Sequence, residues 1–230
     1  TLGVDLARHP GHVEMSRQQI LLLVDLGLYR EALERGAALL ERPDARTDDF
    51  LALAEALRRG GQSVEAVATL EAARLRFIDA PQVVALLARA WADGGHPRAA
   101  ADLLRAEVYR EPGFARDAAE LYRRAGLTVA ALEMNERVAD QSAKVRQRLA
   151  LLLDAGRFAD VAALEPRLDR LGLLDDDEVR YAVAYAWFQT GRLAEAEARL
   201  KGIRSAEVFR RAAELRRAMA ACAAEGGRCD

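Results

Sequence analysis

Residues Trp91–Leu104, WADGGHPRAAADLL, decide how the rest of the chain is read. Two glycines, a histidine and a proline run into an alanine-rich helix start, which suits a loop that cradles phosphate or presents an imidazole. A turn between two helices has the same make-up. Recurrence separates the two readings, because a catalytic loop occurs once and a structural turn occurs as often as the fold repeats it.

The pattern recurs. Glycine followed five residues later by alanine, inside apolar helical flanks, occurs at Gly27 with Ala32, Gly61 with Ala66, Gly95 with Ala100, Gly126 with Ala131 and Gly191 with Ala196; Gly156 matches with Val161. The glycines are spaced by 34, 34, 31, 30 and 35 residues. A period of that length is the signature of stacked helical hairpins. His96 and Pro97 stand where the other repeats hold Leu28-Tyr29, Gln62-Ser63, Leu127-Thr128, Arg157-Phe158 and Arg192-Leu193. The opening stretch is therefore a turn.

Composition agrees. Apolar residues make up 51% of the 230, with six prolines and only 6% aromatics, which favours an all-α protein with a sizeable core. The 34 basic and 36 acidic residues are interspersed and leave a net charge of −2, so no field draws the chain to nucleic acid. Lys144 and Lys201 are the only lysines. No apolar run reaches the length of a bilayer, and no membrane span is expected. The chain has neither an initiator Met nor a secretory signal pattern, and is read as a processed protein or a fragment.

These residues resemble the tetratricopeptide repeat family over roughly residues 13–208. The first-helix small position holds Ala54, Ala88, Ala119 and Ala184, with Ile20 and Leu149 in the first and fifth repeats. The large position three residues on holds Leu23, Leu57, Trp91, Tyr122, Leu152 and Trp187, and Pro112 falls at the repeat-ending proline. The resemblance implies a right-handed α-solenoid of about six TPR-like helix-turn-helix repeats, starting near 13, 47, 81, 112, 142 and 177. Residues 1–12 read as the end of a preceding repeat, 205–225 as a polar capping helix and 226–230 as a tail. Pro166 lies inside the second helix of repeat five, so a break or restart is expected near Glu165. The run Asp175–Glu178 reads as an N-cap rather than a metal site.

Chemistry is sparse. His9 and His12 have no partners at metal-ligand spacing, and no nucleophile elbow or phosphate loop occurs. No catalytic residue, metal or cofactor is expected. The resemblance implies instead a concave groove on the first helices, lined by Glu55, Arg58 and Arg59 in repeat two, Arg89 and Asp93 in repeat three, and Arg116, Glu120, Arg123 and Arg124 in repeat four. Arg146 and Asp154 follow in repeat five, and Tyr181, Tyr185 and Gln189 in repeat six. The thirteenth position alternates Asp25, Arg59, Asp93, Arg124, Asp154, Gln189, which suggests a ladder of ion pairs. Arg58 and Arg123 stand outside that alternation and are the first choices for gripping a partner. Tyr181 and Tyr185 are either a binding anchor or packing against the cap. The groove lacks the lysine and asparagine of the family's peptide-carboxylate clamp.

The expected function is a non-enzymatic scaffold that binds a partner protein or extended segment, with a bacterial envelope or exopolysaccharide-export assembly as its setting. Direct binding of a polysaccharide or small ligand, and self-association through end repeats, are the alternatives. Cys222 and Cys229 flank Gly226-Gly227 and admit two readings, a disulfide in an oxidising periplasm or free thiols in the cytoplasm.

Overall fold

The computed structural model describes residues 10–224, with side chains from residue 14. The readings placed on residues 1–9, on the side chain of His12, on the tail and on Cys229 lie outside the described residues. The chain divides into two compact units, Thr1–Gly126 and Leu127–Asp230, and the described residues are helical throughout, without a strand.

The first unit holds α1 (Pro10–Asp25), α2 (Tyr29–Leu40), α3 (Thr47–Arg59), α4 (Ser63–Arg76), α5 (Pro81–Asp93), α6 (Pro97–Glu107) and α7 (Phe114–Arg124). The second holds α8 (Thr128–Glu136), α9 (Gln141–Asp154), α10 (Phe158–Ala163), α11 (Glu165–Arg170), a 3-10 turn at Leu173–Asp175, α12 (Asp177–Gln189), α13 (Leu193–Leu200) and α14 (Ala206–Ala224). Within each unit the second helix of one hairpin packs on the first helix of the next: α2 on α3, α4 on α5 and α6 on α7, then α8 on α9 and α10 on α12.

The turn explains the glycine period. In the second hairpin, Gly61 takes φ +78°, a conformation that costs an L side chain. Its N–H bonds the Arg58 carbonyl at 3.0 Å, and the Gln62 N–H bonds the Leu57 carbonyl at 2.9 Å. That pair of bonds satisfies carbonyls the ending helix would leave open and reverses the chain within two residues. Five residues on, Ala66 is fully buried, as are Ala32, Ala100, Ala131, Val161 and Ala196 at the matching positions. A small side chain there lets the two helices of a hairpin approach closely.

The core runs between the two helix layers. Leu57, Leu70 and Leu87 are fully buried in the first unit. In the second, Val145, Val161, Leu168 and Val183 form one cluster and Leu200, Val208 and Ala212 another beneath α14. The helix of repeat five stops at Ala163 and resumes at Glu165, with Pro166 in the first turn of the new helix. A proline there lacks only an N–H that has no helical partner anyway, so the restart removes the penalty an interior proline would carry.

Arg76, at the end of α4, ties successive hairpins together. Its guanidinium donates to the carbonyls of Leu40, Arg42 and Pro43 at 2.8, 2.8 and 2.9 Å. It also lies over the rings of Phe50 and Phe77, 5.9 and 5.5 Å from their centroids. The carbonyl end of α2 is thus capped by a residue of the next repeat.

Candidate functional site

The first helices of repeats two to four line a groove of about 390 Å³ in the first unit. Its floor is small, formed by Ala85, Ala88 and Ala92 of α5, and Arg58, Arg89 and Arg124 supply its cations. The three arginines differ in what holds them.

Arg58 is committed to the fold. Its Nε and Nη2 donate to Glu55 at 2.9 and 3.0 Å, and its Nη1 donates to Asp93 Oδ2 of the next repeat at 2.5 Å. Asp93 was expected to pair along the thirteenth position with Arg59, but Arg59 bonds Glu55 within its own helix instead, at 2.9 Å. Arg58 stands one residue earlier, about 100° around the helix, and is the one that reaches α5. Arg123 likewise grips Glu120 with two bonds, at 2.8 and 2.7 Å. The sequences Glu55-Ala-Leu-Arg-Arg and Glu120-Leu-Tyr-Arg-Arg thus repeat one device, a glutamate holding the arginine three residues on. Arg58 and Arg123, preferred as partner contacts because they stand outside the alternation of the thirteenth position, are thus both engaged within the fold.

The Arg58 guanidinium, aided by Arg59 against partial burial, holds the Glu55 carboxyl at about 2. A carboxyl that titrates lower folded than unfolded adds stability that is complete above about pH 5 and is lost as pH falls toward 2. Glu55→Gln is therefore expected to cost about 1–2 kcal/mol at pH 7, allowing for screening at this half-exposed site. It should also flatten the stability of the first unit between about pH 5 and 2, read by urea unfolding at each pH. An unchanged slope would show that the pair contributes nothing.

Arg89 and Arg124 are different. Both are exposed, both line the groove, and neither has a hydrogen bond or ion pair within the described residues. Asp117, also exposed in the groove, is the one carboxylate there in the same condition. Arg116 is exposed on α7. Tyr122, beside these residues in sequence, points inward, 1% exposed, and its hydroxyl donates to Asp102 Oδ1 at 2.6 Å.

In the second unit, Arg146 of α9 donates to Asp176 at 2.6 Å, and Asp176 caps α12 by accepting from the Glu178 N–H at 3.0 Å. Arg146 thereby lowers the Asp176 carboxyl below its usual range. Asp177 accepts from the Arg204 and Ser205 N–H groups at 2.9 and 2.7 Å and so anchors the approach to α14, a role the N-cap reading of the acidic run did not include. Tyr185 meets Phe158 edge to face at 5.7 Å, and Arg211 of α14 lies 4.9 Å from the Tyr181 ring. Both tyrosines pack partly buried against the cluster under α14. Trp187 donates its indole N–H to Glu165 at 2.5 Å, and Gln189 is exposed near the end of α12. Cys222 is buried and disulfide-bonded.

Sequence reasoning named Arg89 and Arg124 but ranked them behind Arg58. The signal that could have reversed the order is the acidic residue three positions earlier. Arg58 has Glu55 there, whereas Arg89 has Leu86 and Arg124 has Leu121. Among the described residues, no group of three or more His, Cys, Asp or Glu side chains could hold a metal ion. No helix among them is long and apolar enough to cross a membrane.

No family model matches the chain, and no curated protein does. Solved structures do. A tetratricopeptide repeat protein from Parabacteroides merdae ATCC 43184 superposes with a TM-score of 0.56 at 16% identity, over 82% of this chain and 77% of that one. The C-terminal part of a TPR repeat-containing protein from Cytophaga hutchinsonii gives 0.59 at 12% identity, over 81% and 77%. At such identities the likeness is one of fold.

Proposed function

We propose, from the premise of a tetratricopeptide-repeat fold, that the chain is a protein-interaction scaffold whose first unit holds an extended acidic segment of a partner in the α3–α5–α7 groove. The observation that carries this reading is the pair Arg89 and Arg124, exposed over an alanine floor and without an internal partner. A guanidinium offers a planar fork matched to carboxylate, and one with no internal acceptor needs no rearrangement to bind. Small floor residues leave room for a backbone to lie along the helices.

The expected result is that immobilised chain captures partner proteins from a lysate of its source and that Arg89→Glu with Arg124→Glu reduces capture at least tenfold. Each lost charge-assisted contact is worth roughly 1.5–3 kcal/mol. Thermal unfolding of the double variant should match wild type, because neither arginine supports the fold. Equal capture by both would place the contact elsewhere.

The envelope setting draws support from the bonded Cys222, since disulfides persist in oxidising compartments. Protein purified from its source under acid quench should react with fewer than one thiol reagent per chain before reduction and with two after it. Two reactive thiols before reduction would favour the cytoplasm. A role in exopolysaccharide export has less behind it, because the rings that would stack on sugars, Tyr181 and Tyr185, are engaged by Arg211 and Phe158.

A further inference from the structure

The repeats disagree at one core position. Nine residues after the turn glycine, Leu70, Leu104 and Leu200 are buried to 0, 3 and 1% exposure, and repeat four places Asn135 there at 0%. The first hairpin has Gly36. A cavity of about 290 Å³ opens at that place, with Ile20, Leu39 and Leu53 among its apolar walls. Leu53 takes up the space next to Gly36, its Cδ2 standing 2.6 Å from where a Gly36 Cβ would be, yet a cavity remains beyond it.

The cavity is not sealed. Exposed Gln18, Leu21, Asp48 and Ala52 border it. Leu21 holds the same position in its repeat as Glu55 and Arg89 do in theirs, so the mouth lies on the groove-lining side of α1 and α3 in the same unit. Arg17 at the rim is occupied, because it grips Asp49 and Glu14. Arg46 at the rim is exposed and has no side-chain ion pair within the described residues.

We infer that this hole is a socket for one branched aliphatic side chain, best a leucine, presented by the segment the groove binds. Most of the lining surface is apolar, and the missing side chain is the leucine that three other repeats supply from within. The lining carries Arg17 and Arg46 against Glu14, Asp48 and Asp49; Arg17 is spent on Glu14 and Asp49, which leaves Arg46 against Asp48, so a charged side chain gains nothing by entering. An acidic residue next to the leucine can meet Arg46, which fits the acidic segment favoured by Arg89 and Arg124. The inference rests on the groove reading for the source of the leucine, but not for the socket itself.

The test titrates the chain with N-acetyl-leucinamide, N-acetyl-alaninamide and N-acetyl-lysinamide, following the methyl resonances of Ile20, Leu39 and Leu53. The leucine probe is expected to shift them saturably and at least fivefold more tightly than either other probe. Ala52→Leu, which fills the mouth from an exposed position, should weaken the leucine probe at least tenfold while thermal unfolding stays at the wild-type midpoint. Equal response to leucine and alanine probes would overturn the socket. So would indifference to Ala52→Leu, or nuclear Overhauser contacts from these methyls to residues 1–9, which would show the hole filled by the chain itself. Arg89→Glu with Arg124→Glu should bind the leucine probe as wild type does. Loss of partner capture with probe binding intact therefore strikes the groove reading separately from the socket, and the converse strikes the socket alone.

Discussion

Asp49→Ala is expected to destabilise the first unit by about 3–5 kcal/mol, the range for breaking a buried ion pair from one side. Asp49 is 6% exposed in the first turn of α3. One oxygen bonds Arg17 Nε; the other accepts from Arg17 Nη2 at 3.1 Å and from the Arg46 backbone N–H at 2.9 Å. Burial pushes its carboxyl up, but Arg17 and the Arg46 amide outweigh that and leave it below its usual range. Its contribution is therefore present above the unfolded carboxyl value and is lost on acidification. Alanine leaves Arg17 partly buried without its main acceptor and uncaps α3 at once. The measurement is urea unfolding followed by Trp91, the only tryptophan of the first unit, in a Trp187→Phe background. Arg17→Met with Asp49→Leu should recover much of the loss, since an apolar pair of similar size avoids desolvating two charges. A loss under about 1 kcal/mol for Asp49→Ala would mean that water reaches the pair.

Leu70→Ala is expected to cost about 2–5 kcal/mol, from lost transfer free energy and the cavity left behind. Leu70 is fully buried between its own hairpin and the helix that follows. The same protocol measures it, and the midpoint should fall without a change in the denaturant slope. The comparison with Gly36 is informative, because the first hairpin already lives without a side chain of its own at that position, with Leu53 taking up part of the space. If Leu70→Ala costs less than about 1 kcal/mol, neighbouring side chains close the hole, and Gly36 would then need no occupant either.

The repeat architecture was legible because its signal is local and covalent. A turn that demands positive φ selects glycine, and a close helix crossing five residues on selects alanine, so Gly61 and Ala66 announce themselves without any knowledge of the partner helix. Pro166 was legible for the same reason: its missing N–H acts on its own helix. The assignment of charges was not. Whether Asp93 meets Arg58 or Arg59 depends on which of two adjacent side chains the helix phase aims at the next repeat, and both choices look alike in a one-dimensional pattern. Tyr181 and Tyr185 were undecided because their burial depends on α14, which arrives more than twenty residues later. Arg89 and Arg124 were visible as groove residues, but their freedom is a property of what their neighbours lack.

Arg76 has a consequence for how such a chain can be cut or grafted. Because it closes the carbonyl end of α2 from the last residue of the next hairpin, the smallest piece that keeps this cap is a pair of hairpins. Excision of the first hairpin alone would leave the Leu40, Arg42 and Pro43 carbonyls without their donor, whereas a cut after Arg76 would carry the cap along. Shuffling experiments that move the first two hairpins together should yield folded chimaeras where those that part them yield frayed ones.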